Sequence, residues 1–144
     1  MNQPQRLKEG RQPVVLVVDD NPAIRDMVSW ALELDGYEPA EASEGQEALD
    51  WINNAAREGR YPAVILLDLA MPGMDGNMFL SSLHRQWKSF GLPNPLPSIV
   101  VITAAGGGKR DAADLGLELG VEHVIVKPFH VRDLLDVVRR LVEV

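Results

Sequence analysis

Three aspartates, a threonine and a lysine stand at the ends of short apolar runs. Val14–Val18 leads into Asp19 and Asp20, Ala63–Leu67 into Asp68, Ile99–Ile102 into Thr103, and Val124–Val126 into Lys127. Brought to one place, three carboxylates repel one another, and burial adds to the cost. A cation among them offsets both. Donors that are all oxygen select a hard cation, and Mg²⁺ typically takes one or two carboxylates, waters and a phosphate oxygen. The chain has no cysteine, and no histidine stands beside these acids, so Zn²⁺ is a poor candidate. One carboxylate could also act as a nucleophile and form an aspartyl phosphate. Phosphoryl transfer depends on charge neutralisation and positioning more than on proton transfer. An ammonium group and a hydroxyl supply both.

The elements that must position these groups are written in the apolar pattern. Near-continuous Val/Ile/Leu runs read as strands buried on both faces, and therefore as a parallel sheet. Between them the helical period recurs. Asn21-Pro22 opens a first helix with Ile24, Met27, Val28, Ala31 and Leu32 on one face, and Gly36 ends it. A short edge strand follows at Tyr37–Glu41. Ser43-Glu44-Gly45-Gln46 reads as a capping box for a second helix, with Ala48, Trp51, Ile52, Ala55 and Ala56 inward and Gly59 as its stop. Met71-Pro72-Gly73-Met74-Asp75-Gly76 is a turn-rich loop, with Asp75 as candidate cap of a helix burying Phe79, Leu80, Leu83, Trp87 and Phe90. The three tryptophans fall on helix faces and read as packing residues. A further helix is expected within Arg110–Leu119, after Gly106-Gly107-Gly108. The last helix carries Val131, Leu134, Leu135, Val138, Leu141 and Val142 as one stripe.

Alternating strands and helices without a gap for a second domain imply an α/β fold. The expectation is a doubly wound, five-stranded parallel sheet with helices on both faces, in the flavodoxin-like order 2-1-3-4-5. Ligands in such sheets sit at the carboxyl ends of the strands. That order makes the first and third strands neighbours and sets Asp19, Asp20 and Asp68 side by side. Asp68, on the central strand, is then the natural acceptor. Residues 1–12 read as a flexible tail and 13–144 as the domain.

The bulk numbers agree with one soluble domain. A chain of 144 residues, 46% hydrophobic and 24% charged, buries roughly 68–70% of its unfolded surface. A net charge of −7 argues against direct nucleic-acid or anionic-lipid binding. Arg6, Lys8 and Arg11 lack the apolar stretch of a signal peptide, and no run approaches a membrane span. The expected location is the cytoplasm.

The combined set, Val14–Asp20, Asp68 with Met71–Gly76, Thr103-Ala104 and Lys127-Pro128-Phe129, resembles the receiver domain of two-component response regulators, of the single-domain chemotaxis type. The likeness covers residues 14–143. It implies a phosphoacceptor signalling switch, not a turnover enzyme, that catalyses its own phosphorylation and dephosphorylation. By position, Asp68 would be the phosphoacceptor. Asp19, Asp20, Asp68 and the backbone carbonyl of Ala70 would hold Mg²⁺, with Mn²⁺ as a substitute. Thr103 would bond the phosphoryl group, and Lys127, aimed by a cis peptide to Pro128, would pair with it. The implied donor is a phosphohistidine on a sensor histidine kinase or phosphotransfer protein, in a phosphorelay serving a further protein target. Val124 stands where receivers often carry Tyr or Phe, so the aromatic switch of the family is not carried by that residue. Alternatives are a receiver fragment of a hybrid kinase or multidomain regulator, a flavodoxin-like cofactor binder, and a phosphatase with an aspartyl nucleophile.

Overall fold

A computed structural model describes residues 12–68, 76–89, 96–104 and 121–143. Five strands, β1 (Val14–Val18), β2 (Glu38–Ala42), β3 (Val64–Asp68), β4 (Ser98–Ala104) and β5 (Val121–Lys127), form one sheet in the order β2-β1-β3-β4-β5. Every pairing is parallel. The expected strand order is the one found. Helices α1 (Pro22–Leu34), α2 (Gly45–Arg57), α3 (Gly76–Ser89) and α4 (Val131–Glu143) join or follow these strands. The segment expected to be helical within Arg110–Leu119 lies outside the described residues, as do positions 1–11 of the expected tail at 1–12, the loop at 69–75, and Phe90, expected on the buried face of the third helix.

Strand alternation between two cores explains why β1 and residues 64–67 of β3 are apolar at every position. Leu16, Val18, Ile65 and Leu67 face one core with Ala48 and Ile52 of α2 and Phe79, Leu80, Leu83 and Trp87 of α3. Val15, Val17, Val64 and Leu66 face the other, with Val28 and Leu32 of α1 and Leu134, Val137 and Val138 of α4. Burying each such side chain contributes about 1.5–3 kcal/mol, so both faces lock the central strands. The strands that carry the candidate acids are thereby covered on both faces.

Local chemistry sets the helix ends. Asn21 caps α1, its Oδ1 accepting from the amides of Ala23 (2.9 Å) and Ile24 (3.2 Å), and Pro22 begins the first turn. Gly36 (φ 95) and Gly59 (φ 73) both turn the chain out of a helix in the left-handed region, which costs glycine no Cβ clash. The capping box of α2 is displaced by one residue from the expected one. Glu44 is the N-cap without a side-chain bond, and Glu47 reaches back to accept from both the amide (2.5 Å) and the hydroxyl (2.8 Å) of Ser43. Gln46 instead donates to Asp50 along the helix. The amide of Ser43, then its hydroxyl, hold the Glu47 carboxyl below the usual glutamate range, and the Arg25 guanidinium adds to this.

The helix faces depart from expectation at one tryptophan and at Met27, expected on the buried face of α1. Trp87 is buried and meets Tyr61 edge to face, with ring centroids 6.1 Å apart, and Trp51 is half-buried against the core. Trp30 is not a packing residue. It is 65% exposed, alongside Met27 (41%) and Leu34 (69%). Spacings of three and four put these side chains on one flank of α1, beside the arc that Val28 and Leu32 bury. Ser29 is also buried, and its hydroxyl has no hydrogen-bond partner among the described residues.

Candidate functional site

Four of the expected residues converge at the carboxyl ends of β1, β3 and β5. Asp19 follows β1 directly, Asp68 is the last residue of β3, and Lys127 is the last of β5. Carboxylate oxygens of Asp19, Asp20 and Asp68 all lie within 4.8 Å of one another. The Lys127 ammonium sits between two of them, 3.5 Å from Asp19 Oδ2 and 3.6 Å from Asp68 Oδ2. Asp19 and Asp68 are 2% and 4% exposed, whereas Asp20 faces solvent. The cluster therefore has a dry floor and one open side.

Strand register explains the convergence. Val18 pairs with Leu67, which brings Asp19 and Asp68 to the same level one step further on. Asp68 pairs with Ile102, so Thr103 lies one position beyond it on β4, and Thr103 in turn pairs with Val126, beside Lys127. Thr103 is 3% exposed. The Lys127–Pro128 peptide is cis, as the resemblance implies. The position named for a metal-binding carbonyl, Ala70, lies outside the described residues.

The donor set fits a hard divalent cation. It offers oxygen from three carboxylates within reach of one ion, with no competing thiolate or imidazole in the cluster. Lys127 neutralises part of the charge and, among the described residues, is ion-paired with the two buried acids. The exposed acid leaves a face open to water and to an incoming ligand.

Sequence reasoning missed the groups behind the acids. The amide of Asn21 donates to Asp19 Oδ1 at 2.9 Å, closing a tight turn around that carboxylate. Arg25 Nη1 donates to the Asp19 carbonyl at 2.7 Å, and its Nε lies 3.4 Å from Glu41 Oε1 on β2. The signal was present in the spacing, since residue 25 falls one helical turn beyond the cap. A basic residue there is nevertheless common enough to pass as a solvated charge.

This arrangement, a five-stranded parallel sheet with an acid cluster at its carboxyl edge and a lysine across from it, defines a class, and comparison with known proteins names it. The family described as "Response regulator receiver domain" matches residues 15–139. The chain belongs to this family of phosphoacceptor signalling switches. It is 34% identical over 120 residues to the phosphate regulon transcriptional regulatory protein PhoB of Escherichia coli (strain K12), covering 83% of this chain and 47% of that protein. The PhoB protein of Pseudomonas aeruginosa is 38% identical over the same length. The chain thus spans about half the length of these regulators. Among solved structures, a CheY-like receiver domain protein from Methanospirillum hungatei JF-1 superposes with a TM-score of 0.75 at 27% identity, covering 91% of this chain and 94% of that one. The Vibrio cholerae chemotaxis protein CheY4 gives 0.72 at 31%, covering 90% and 98%.

Proposed function

We propose that Asp68 is the phosphoacceptor of this receiver and that Asp19, Asp20 and Asp68, with the carbonyl of Ala70, hold the Mg²⁺ that the transfer requires. The observation that carries this reading is the meeting of three carboxylates within 4.8 Å beside a shared lysine. When bound, Mg²⁺ supplies positive charge to the phosphoryl oxygens. In the reaction, a carboxylate oxygen of Asp68 attacks phosphorus. A P–O bond forms as the P–N bond to the donor imidazole breaks, and the electron pair returns to the imidazole nitrogen. Lys127 moves from its place between Asp19 and Asp68 to a phosphoryl oxygen. Thr103, on the adjacent strand, donates its hydroxyl to another. The product carries more negative charge at a nearly buried position, and Thr103 and Lys127 are donors that can meet it.

The donor in this reading is a phosphohistidine on a sensor kinase or phosphotransfer protein, and the protein works as a cytoplasmic switch for a downstream protein rather than as a turnover enzyme. Two features support a protein donor. Met27, Trp30 and Leu34 form an exposed apolar stripe on the helix that starts directly after the acid pair. The exposed Asp26 and Glu33 border it, which suits an apolar helix face rimmed by basic residues. No helix among the described residues is long and apolar enough to cross a membrane. A flavodoxin-like cofactor role finds no support, since the turn after β1 presents acids where a phosphate would need donors.

The test is incubation with Mg²⁺ and a small acyl phosphate, read by intact mass. One phosphoryl adduct is expected on the wild type and none on Asp68→Asn. An undiminished adduct on the variant rejects the acceptor assignment.

A further inference from the structure

Asp19 is held from four directions. Its amide donates to the Ala42 carbonyl at 3.1 Å, its Oδ1 accepts from Asn21 and its Oδ2 faces Lys127. Its carbonyl accepts from Arg25 Nη1 at 2.7 Å. The last contact differs from the others because it grips the peptide that joins Asp19 to Asp20. Asp20 is exposed, so the backbone beneath it must set where its carboxylate points. Arg25 is half-buried, and its Nε is ion-paired at 3.4 Å with the exposed Glu41, the next-to-last residue of β2. The guanidinium fork reaches a carbonyl and a carboxylate at once, which an ammonium on a flexible stem does not reproduce.

We infer that Arg25, anchored by Glu41, is a positioning residue that orients the Asp19–Asp20 peptide and thereby sets the affinity of the acid cluster for a divalent cation. The inference rests on the metal-dependent reading above. It touches neither the cation nor the phosphoryl group directly. It acts as outer-shell groups do, by restricting the ligand that does.

The sign of the effect separates this role from simple electrostatics. A positive charge near the cluster repels a cation, so removing it would by charge alone tighten binding. Loss of positioning weakens binding instead. The probe is Mn²⁺, whose free concentration is read directly by electron paramagnetic resonance, on wild type, Arg25→Lys, Arg25→Gln and Glu41→Gln. Arg25→Lys keeps the charge and loses the fork, and Arg25→Gln loses both. Both Arg25 variants are expected to bind Mn²⁺ about tenfold more weakly, the low end for outer-shell groups. Glu41→Gln is expected to weaken binding less, in the same direction. In phosphorylation by a small acyl phosphate, the Mg²⁺ concentration for half-maximal rate should rise by the same factor, with the plateau rate retained. Unchanged or tighter Mn²⁺ binding by Arg25→Gln overturns the inference, and so does a variant that melts earlier yet binds Mn²⁺ as the wild type does. If wild type itself binds no Mn²⁺, the metal-dependent reading falls and this inference falls with it. If wild type binds and the variants match it, only the role of Arg25 is refuted.

Discussion

Removing the ammonium of Lys127 should cost the metal-free protein stability and return much of it when Mg²⁺ is added. Lys127 lies 3.5 Å from one Asp19 oxygen and 3.6 Å from one Asp68 oxygen. At an effective dielectric of about 20, each attraction is about 4.7 kcal/mol, and in bulk water about 1.2 kcal/mol. The lysine side chain is 26% exposed while its partners are nearly buried, so the pair belongs between these limits. Breaking a buried ion pair by deleting one partner costs about 3–5 kcal/mol, and the exposure of Lys127 places this case at the low end, about 3 kcal/mol. For 144 residues, an unfolding entropy of about 2.1 cal/mol/K per residue converts that to a fall in Tm of about 10 °C. The loss comes from repulsion between Asp19 and Asp68 that no cation then balances. Mg²⁺ should therefore raise the Tm of Lys127→Ala by more than it raises that of wild type. Differential scanning fluorimetry across a Mg²⁺ series, with Lys127→Met as a second variant, reads both numbers. A Tm within 2 °C of wild type without metal, or an equal Mg²⁺ response in the two proteins, would refute the reasoning that the lysine is the cluster's internal counter-charge.

Three further outcomes are expected. Ser29→Ala should raise Tm by about 3 °C, since a buried hydroxyl without a partner costs about 1 kcal/mol or more; a lower Tm would mean that the hydroxyl is satisfied. Glu47→Gln should be less stable than wild type by about 0.5 kcal/mol at pH 7. Because folding lowers the Glu47 pKa, that advantage is complete above the unfolded value and is lost as pH falls through the folded one, so the gap in urea midpoints should close on acidification below about pH 4; a gap that widens there contradicts the capping account. Trp30→Asp should slow phosphoryl uptake from a phosphohistidine protein about tenfold or more, as for a central aromatic contact, and leave uptake from a small acyl phosphate unchanged; equal rates from the protein donor would remove the α1 stripe from the partner surface.

The acid cluster was legible because its positions follow from burial. A run such as Val64–Leu67, short and half β-branched, reads as a strand with both faces covered, and a polar residue at its end then emerges at the carboxyl end of the sheet. Order 2-1-3-4-5 then makes Asp19 and Asp68 neighbours. What stayed hidden depends on offsets of a single residue or of a fraction of a helical turn. Ser43 with Gln46 and Ser43 with Glu47 are both plausible boxes on paper, and the choice depends on whether the helix starts at position 44 or 45. Met27 fits the spacing of the α1 core stripe, but it also falls in line with Trp30 and Leu34. Periodicity alone does not say how wide the buried arc is, and the position of α4 and β2 decides it. Arg25 escaped notice for another reason. Its two contacts are to a backbone carbonyl and to a residue sixteen positions away, and its spacing from the Asn21 cap is the same as that of a solvated charge on a first helical turn.

The loose hold on Lys127 bears on how a switch could work here without an aromatic side chain at position 124. Charge-assisted N–H···O bonds are typically about 2.7–2.9 Å long, and Arg139 holds Asp35 at 2.9 Å across the α1–α4 contact in that way. Lys127 holds neither acid so closely. It is shared between two carboxylates at 3.5 and 3.6 Å, so transferring it to a third oxygen gives up Coulomb attraction but no short hydrogen bond. Val124, three residues earlier on β5, is half-buried against the α2–α3 core, while His123 points to solvent. A valine at that position offers no large ring to swing between two sites. In the proposed reading the response to phosphorylation therefore starts in the backbone-paired ends of β4 and β5, where Thr103 and Lys127 lie on adjacent strands. In that reading both side chains turn toward one phosphoryl group from adjacent strands, so the change begins where β4 and β5 pair at their carboxyl ends.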